Sequence, residues 1–393
     1  MSKRTMDDPV APGLARADGP ALEAHRQRVG VLAGELARRL RWNDARLEAV
    51  DRSVKSHHVC FPDPRLLSSL IEGVWGGAKG APPAPATNES AEVGRLLELA
   101  CLFVERWEYS HYEPVTFEQA VEELSWIARE GFFDESHIQA LSNVPSASFS
   151  QIQEAACRLP VFPAVALRAM QLVADPMAGT AALEEIVSSD PVLAGEILKA
   201  ANSPRYSPAR PVRSIQQAAL FIGMAECCKV IAAASIRPLF AMAPAEALWA
   251  HSLEIASVAE NVARKARLEQ PQEAYFAGLV HDIGRLAFFA LPRPLSARYA
   301  NLVQREVEAT FAELLLCGFD HALAGGEIAR QWLLPEDLVE AVARHHEPER
   351  ARGPMASVLF LAEHWSGSQE DLPSLARLNA ALDRLSLGPH DSF

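Results

Sequence analysis

The chain has 393 residues, of which 49% are hydrophobic and 22% charged, a composition typical of a globular protein with room for two or three domains. Its formal net charge of -13 argues against extended binding to nucleic acid, because nucleic-acid-binding proteins usually present a basic face. No run of about 18 apolar residues and no apolar leader near Met1 is present, so neither a membrane span nor a signal peptide is expected. The six cysteines lack Cys-x-x-Cys spacing and are typical of reduced, mostly buried thiols in a cytoplasmic protein.

Residues 1–20 contain three prolines and two glycines and are predicted to be a flexible lead-in. A helix is predicted from Ala21, because apolar positions then recur with helical spacing on one face while arginines occupy the others. The segment 76–91, which contains Ala-Pro-Pro-Ala-Pro, is predicted to be a linker or long loop. Thr116, with Gln119 three residues later, forms a capping-box pattern that predicts the start of another helix.

Short segments within residues 21–141 resemble parts of HD domains. The phrase that begins at His25 (His-x-x-Arg-Val) resembles the first helix of an HD domain, His57-His58 resembles its later paired histidines, and 115–124 with 133–137 resembles the closing part of HD-GYP domains. Only 33 positions separate His25 from His58, so the central His-Asp segment is absent. The resemblance implies a degenerate HD-like helical domain that has lost its metal centre, in which these histidines are core or surface residues. An unrelated helical bundle is the alternative.

The serine-rich segment 142–150 is the predicted domain boundary. Beyond it, Asp190 is a suitable N-cap with Pro191 at the first helical position. Asn202 is expected to take a left-handed cap at the end of that helix, and Pro204 prevents its continuation. The loop at Asn202 is either a recognition loop or a simple helix stop, and the composition favours the second because asparagine is common at such positions.

Ser214 and Gln217 form a second capping-box pattern, and Gly223 is predicted to separate that helix from the next. The helix over 225–236 is apolar nearly all round, which is typical of a helix at the centre of a core. Three arginines in the loop before Ser214 form either a small anion-binding edge or, more commonly, a solvated face: Arg205, Arg210 and Arg213.

Histidines in the last part of the chain lie on apolar helical stripes. His251 precedes apolar residues at the i+4, i+7 and i+11 positions, and His321 repeats that placement. His345 and His346 follow the apolar face of a third helix. A single inward histidine is usually a hydrogen-bonded core residue, but several together favour a ligand set, because each unpaired buried imidazole costs stability.

His281 and Asp282 stand side by side after an apolar run, and Gly284 is expected to let the backbone turn at once. Adjacent side chains can face one cation only at such a bend, so the pair is expected where a helix ends. A mixed set of imidazole and carboxylate groups suits a first-row divalent metal.

The order His251, His281-Asp282, His321, His345-His346 resembles the HD phosphohydrolase superfamily, and within it the HD-GYP cyclic-dinucleotide phosphodiesterases. The preceding motifs resemble the narrower HDOD (HD-related output domain) family: Leu-Pro-Val-Phe-Pro at 159–163, Ser-Asp-Pro-Val-Leu at 189–193, Lys-Ala-Ala-Asn-Ser-Pro at 199–204 and the segment 214–223. The resemblance covers roughly residues 150–365, as an N-terminal half (159–240) and an HD-like half (246–365), followed by a tail (366–393) that is expected to be weakly helical and frayed. It implies an all-α fold and a bacterial signalling role, usually without demonstrated catalysis.

The superfamily resemblance also implies a metal centre with one or two iron, manganese or zinc ions. In one site His251 and Glu363 would join His281 and Asp282, and Asp282 could bridge to a second site formed by His321, His345 and His346. Glu363 stands where the family normally has aspartate, and no Gly-Tyr-Pro follows His346, which weakens the case for cyclic-dinucleotide hydrolysis. If the centre is catalytic, Asp282 and Arg285 are the candidate catalytic residues, with Arg285 holding phosphate.

Three functional hypotheses follow. The first is a non-catalytic signalling output or scaffold protein that contacts other signalling proteins. The second is a metal-dependent phosphohydrolase or cyclic-dinucleotide phosphodiesterase. The third is a sensor that binds such a nucleotide without cleaving it. No nucleic-acid or membrane partner is expected, and the sequence predicts no oligomeric state.

Overall fold

The computed structural model describes residues 20–55, 89–108, 116–129, 131–175, 177–188, 190–241, 245–305, 307–367 and 375–388. Within these ranges the secondary structure is helical and contains no strand, which confirms the predicted all-α class. The lead-in before Pro20, the pair His57-His58 and most of the predicted loop at 76–91 lie outside the described residues. The chain divides into two compact units, Met1–Ser146 and Ala147–Phe393.

The described part of the first unit contains five helices: α1 Pro20–Arg39, α2 Asp44–Lys55, α3 Glu89–Glu108, α4 Phe117–Arg129 and α5 Glu135–Ser142. Helix α3 begins at Glu89, so the last three residues of the predicted loop at 76–91 are helical. The stripe of apolar residues on α1 packs against α2 and α3, where leucines such as Leu32 and Leu96 are fully buried. The capping box is confirmed, because Thr116 N–H donates to Gln119 Oε1 (2.9 Å) and Gln119 N–H donates to Thr116 Oγ1 (3.2 Å).

The first half of the second unit is built around one central helix. Its elements are α6 Phe149–Cys157, α7 Ala164–Ala174, α8 Thr180–Ser188, α9 Pro191–Ala201, α10 Ile215–Ile222 and α11 Met224–Ile236, followed by a 3-10 turn at Arg237–Phe240. Helix α11, predicted from its apolar composition to be central, packs against α7, α9 and α10. Gly223 separates α10 from α11 with a φ of 91°, a backbone conformation that favours glycine.

Two local predictions in this half need correction. Asn202 does not adopt a left-handed conformation, since its φ is -93°. Instead its side-chain amide donates to Leu198 O (2.7 Å) and Val212 O (2.9 Å), and its Oδ1 accepts from Val212 N–H (2.8 Å). Ser214 caps α10 by accepting from Gln217 N–H, but the Gln217 side chain accepts from Arg213 N–H rather than from Ser214, so the capping box is incomplete.

Asn202 thus ends α9 and also holds the following loop against the end of that helix.

Arg205, Arg210 and Arg213 are all exposed, as expected of a solvated face. The predicted cap of α9 is present, since Asp190 Oδ1 accepts from Val192 N–H at 2.9 Å.

The second half of this unit carries the predicted site residues on a set of packed helices. Its elements are α12 Ala245–Lys265, α13 Pro271–Val280, α14 Gly284–Phe289, α15 Arg293–Gln304, α16 Ala309–Cys317, α17 His321–Gln331, α18 Glu336–Arg344, a 3-10 turn at Pro348–Arg350, α19 Met355–Ser366 and α20 Leu375–Arg384. Helix α12 packs along α13 and α19, while α17 packs against α14 and α18. These two groups of helices meet at the loop between α13 and α14.

The tail expected to be frayed contains α20, which packs on α19 and on the 3-10 turn at 348–350. Its apolar face buries Ala381, Leu382 and Leu385. Among the described helices no single one is long and apolar enough to cross a membrane, although a pair bent by 115°, Ile215–Ile222 with Met224–Phe240, reaches that length and composition together. The cysteines in the described ranges are free thiols, and of these only Cys157 is exposed.

Candidate metal centre

The site is organised by the turn between α13 and α14. Helix α13 ends at Val280, and His281 still has helical backbone angles as its C-cap. Asp282 follows, and α14 begins at Gly284. The side chains of His281 and Asp282 are fully buried, so the apolar run of α13 delivers both groups to the interior at the end of a helix, as the sequence predicts.

Gly284 has a different role from the one expected. It lies in the first turn of α14 and is not among the glycines with positive φ, so the turn itself does not require glycine. A Cβ at this position would overlap the carbonyl oxygen of His321 and the backbone nitrogen of Gly325. The two glycines therefore allow α14 to approach the start of α17, which carries His321 to the turn.

Asp282 lies at the centre of the cluster. Its Oδ1 is 2.9 Å from Nε2 of His321, 3.5 Å from Nε2 of His281 and 3.8 Å from Nε2 of His345. Its Oδ2 is 3.5 Å from Nε2 of His251. Both carboxylate oxygens are buried, and only the His321 nitrogen lies within 3 Å of one of them.

Glu363, from α19, joins the cluster beside the His281 ring. Its Oε1 is 3.2 Å from Nε2 of His281 and 3.9 Å from Nε2 of His345. On the same side, Nε2 of His251 is 3.2 Å from Nε2 of His281. The longer side chain of glutamate, which replaces the family's usual aspartate, thus reaches the same group of imidazoles.

On the other side, Nε2 of His346 is 3.0 Å from Nε2 of His321. Three groups of residues each have donor atoms within 4.8 Å of one another: His321 with His345 and His346, His251 with His281 and Glu363, and Asp282 with His345 and Glu363. The first two groups correspond to the two sites that the resemblance implies, and the third links them. The structure therefore brings all seven predicted ligand residues into one neighbourhood.

Hydrogen bonds on the outer side of the rings fix their orientation. Nδ1–H of His281 donates to Gly278 O at 2.8 Å, and Nδ1–H of His345 donates to Val342 O at 2.7 Å. Because Nδ1 carries a proton, Nε2 of each ring faces the cluster and presents its lone pair there when the ring is neutral, the arrangement usual for metal-ligating histidines.

Glu313, on α16, orients His321 and was not predicted from the sequence. Its Oε2 accepts from Nδ1–H of His321 (2.7 Å) and from the backbone N–H of His321 (2.8 Å), and its Oε1 accepts from the hydroxyl of Tyr299 (2.9 Å). Glu313 is completely buried. The signal was a single glutamate inside the otherwise apolar helix Ala-Thr-Phe-Ala-Glu-Leu-Leu-Leu-Cys, where a carboxylate needs a buried partner.

The surroundings favour ionised carboxylates. Burial would raise the pKa of Asp282, but Arg285 and the neighbouring rings of His281 and His321 lower it well below its ordinary value. Burial would likewise raise the pKa of Glu363, but His345 and His281 lower it. Both carboxylates are therefore ready to accept a cation.

The histidines divide into two classes. Burial lowers the pKa of His345 to about 4 and also lowers the pKa values of His251 and His346, so these rings are neutral. Burial would lower the pKa of His321, but Glu313 and Asp282 raise it well above its ordinary value. A cation at Nε2 of His321 would have to displace a proton, as metal binding to histidine generally does.

The cluster reaches the surface at its edges. The side chains of His281, Asp282, His321 and His345 are fully buried, whereas His251 is 21% exposed and Glu363 is 15% exposed. Arg285, also 15% exposed, places its Nε 3.2 Å from Oδ2 of Asp282. His346, on the other side of the cluster, is partly exposed as well.

Helix α20 holds the segment that follows His346. Arg377 donates through Nη1 to His346 O (2.6 Å) and through Nη2 to Glu349 Oε1 (2.7 Å). Arg384 donates to the carbonyls of Pro348 (3.1 Å) and Gly353 (3.3 Å). The apolar stripe of α20 is the sequence signal for these contacts. The polar residues before it favoured the prediction of a frayed tail instead.

Residues 159–348 match the family described as HDOD domain. The chain contains an HDOD domain. A crystal structure of an HDOD domain protein of unknown function from Geobacter sulfurreducens superposes with a TM-score of 0.54 at 25% identity, covering 62% of this chain and 89% of that one. Glu363, Arg377 and Arg384 lie beyond the matched range, whereas the candidate ligands from His251 to His346 lie within it.

Two curated relatives are similar to parts of the chain. An uncharacterized protein of Treponema pallidum is 23% identical over 211 residues, which make up 51% of this chain and 41% of the relative. Ribonuclease Y of Thermus thermophilus is 28% identical over 142 residues, 35% of this chain and 20% of the relative. The similarity therefore extends over less than half the length of these relatives.

Replacing Gly284 with alanine is expected to destabilise the second unit by about 3 kcal/mol, because the new methyl group would meet backbone atoms of α17 that cannot rotate away. Urea unfolding followed by circular dichroism measures the change. Gly195→Ala is the matched control, since no atom lies within 4 Å of a Cβ there, and it should be neutral or stabilising by up to about 1 kcal/mol. Equal effects of the two changes would show that the approach of α14 to α17 is not tight.

Proposed function

We propose that this HDOD protein binds divalent metal ions at the cluster around Asp282 and uses them to hydrolyse a phosphodiester in a signalling role. The observation that carries the proposal is Asp282 itself. Its two buried carboxylate oxygens face imidazole nitrogens from four segments of the chain, and the nearest is Nε2 of His321 at 2.9 Å. A cation among these groups would take the place of the His321 proton and would be attracted by the ionised carboxylate.

The donor set fits such an ion. Neutral imidazoles with oriented Nε2 atoms and two ionised carboxylates are the ligands that iron, manganese and zinc accept. The grouping supports two positions, one held by His251, His281 and Glu363 and the other by His321, His345 and His346. Asp282 would be shared between them.

A bound pair of divalent ions would supply Lewis acidity toward a phosphoryl oxygen and a nucleophile from water near neutral pH. The chain contributes the rest. Arg285 lies at an exposed edge of the cluster and can donate two parallel hydrogen bonds to a phosphate. Its neighbour Asp282 is already ionised, so the guanidinium and the carboxylate hold each other in place before the substrate arrives.

The substrate class follows from the relatives and from charge. Ribonuclease Y of Thermus thermophilus is named as a ribonuclease, which supports a phosphodiester as the bond cleaved here. The net charge of -13 disfavours a long nucleic acid, so a small nucleotide is the better candidate. The absence of Gly-Tyr-Pro after His346 removes the particular support for a cyclic dinucleotide that the HD-GYP resemblance would give.

A non-catalytic scaffold is the second candidate, and one observation favours it. Helices α9 and α10 expose large apolar side chains: Val192 is 68% exposed, Leu220 82% and Phe221 48%. Exposed apolar groups of this size are common at surfaces that contact other proteins. A signalling partner would thus bind the N-terminal half of the HDOD domain, whether or not the metal centre turns over.

For the first unit, we propose the degenerate HD-like domain suggested by the sequence. His25 lies on its first described helix and is buried, which agrees with the position of the first histidine in HD domains. A sensor that binds a nucleotide without cleaving it remains the third hypothesis for the second unit.

Metal content tests the proposal directly. Protein purified without chelators should hold iron, manganese or zinc at this cluster, measured by elemental analysis of the wild-type protein and of the double variant His281→Ala with Asp282→Ala. The double change should lower the metal content by at least one equivalent while circular dichroism shows that the helices persist. His364→Ala, which changes the neighbour of Glu363 on α19, should leave metal content intact. If the double change lowers the stability of the protein and leaves its metal content unchanged, His281 and Asp282 are packing residues and not metal ligands.

Glu313→Gln should weaken metal binding at least about tenfold, because a neutral amide accepts less strongly from the His321 ring. Competition with a chromophoric chelator measures the change. Glu327→Gln on α17 is the control, since Glu327 accepts hydrogen bonds from Arg330 and Gln153 and not from a histidine. Identical affinities of the two variants would rule out an orienting role for Glu313.

Turnover separates the first hypothesis from the other two. Metal-loaded protein should hydrolyse bis(p-nitrophenyl) phosphate and at least one member of a panel of small nucleotide phosphodiesters. Arg285→Gln should lower kcat/KM about 100-fold with metal retained, as loss of a donor to developing charge typically does. Arg330→Gln, an exposed arginine on α17, should have no effect. Full metal occupancy without any turnover would overturn the enzymatic proposal in favour of a scaffold or sensor.

A further inference from the structure

The first unit contains a second cluster of metal-ligating side chains, separate from the residues of the proposed centre. His25 on α1 lies beside Cys101 and Glu105 on α3, and one donor atom of each lies within 4.8 Å of the others. Cys101 and Glu105 are four residues apart on one helix, so both side chains emerge on the face that packs against α1.

All three side chains are buried. His25 is 4% exposed, Glu105 3% and Cys101 0%. Imidazole, thiolate and carboxylate groups are all ligands that a divalent cation accepts, and such a cation would take the place of the thiol proton.

The distances match one metal in particular. Nε2 of His25 is 3.5 Å from Sγ of Cys101, and Sγ of Cys101 is 3.4 Å from Oε1 of Glu105. Bonds of about 2.3 Å from zinc to sulfur and about 2.0 Å to nitrogen or oxygen, set at tetrahedral angles, place these ligand atoms about 3.5 Å apart. A combination of thiolate, imidazole and carboxylate is also a set that zinc accepts readily.

We infer that His25, Cys101 and Glu105 form a zinc site that fastens α1 to α3. The inference is independent of the proposed hydrolysis, since it concerns the other unit of the chain. It also differs from the degenerate-domain hypothesis, in which His25 has no ligand role. The competing explanation is a buried hydrogen-bond chain, in which the Cys101 thiol donates to Glu105 and the His25 ring contacts the sulfur, because such a chain spans the same distances.

Cobalt substitution in the full-length chain distinguishes the two explanations. Cobalt bound to a thiolate gives a sulfur-to-metal charge-transfer band, and the ligand set around Asp282 contains no sulfur. The band should therefore report on a cysteine, and the Cys101 variant identifies which one. It should be present in the wild-type protein and in the His281→Ala, Asp282→Ala variant, and it should disappear in Cys101→Ser. Cys157→Ser, which removes an exposed thiol, should retain it.

Two measurements avoid dependence on the folding of the Cys101 variant. X-ray absorption of the zinc-loaded wild-type chain should show a sulfur neighbour at about 2.3 Å. Removal of zinc should speed amide hydrogen exchange in peptides from 20–39 and 89–108, and Glu105→Gln should do the same. A cobalt-loaded wild-type protein without the charge-transfer band, or with a band that persists in Cys101→Ser, would overturn the inference and leave a hydrogen-bonded core cluster.

Discussion

A buried aspartate that faces histidine rings is the constraint on which the second unit depends. Withdrawing a carboxylate from water costs several kcal/mol unless positive charge or hydrogen-bond donors replace the water. Arg285 and His281, close by in sequence, supply part of that compensation, and the other groups come from far away: His251 on α12, His321 on α17 and His345 after α18. The helices must therefore cross at one place, and Gly284 and Gly325 remove the side chains that would keep α14 and α17 apart.

The outer hydrogen bonds make the arrangement rigid before any ion arrives. Carbonyl oxygens at the ends of α13 and α18 accept from His281 and His345, and the buried Glu313 accepts twice from His321. These contacts decide which nitrogen of each ring is free. A site whose ring orientations are fixed in this way binds a cation without first ordering its side chains, which lowers the entropic cost of binding.

Local patterns in the sequence were sufficient for the helices and for the inward-facing histidines, because an apolar stripe determines which face of a helix is buried. They did not predict that Glu313 orients His321, that Arg377 bonds the carbonyl oxygen of His346, or that Gly284 allows α14 to approach α17. Each of these depends on which helix lies opposite, and that is decided by packing over long separations in sequence. Asn202 illustrates the same limit. The local sequence correctly predicts that the helix ends there, but the hydrogen bonds of Asn202 to Val212, ten residues later, depend on the path of the loop between them.

The two leading hypotheses make use of different faces of one rigid assembly. Helix α13, which delivers His281 and Asp282, packs directly against α7 and α11 of the N-terminal half. Helix α11 in turn contacts α9 and α10, the helices with the exposed apolar side chains. If a ligand at the cluster displaced α13, these helices would be affected first, and a partner bound to them would then change the affinity for that ligand by the same factor. The two hypotheses are therefore compatible in this fold.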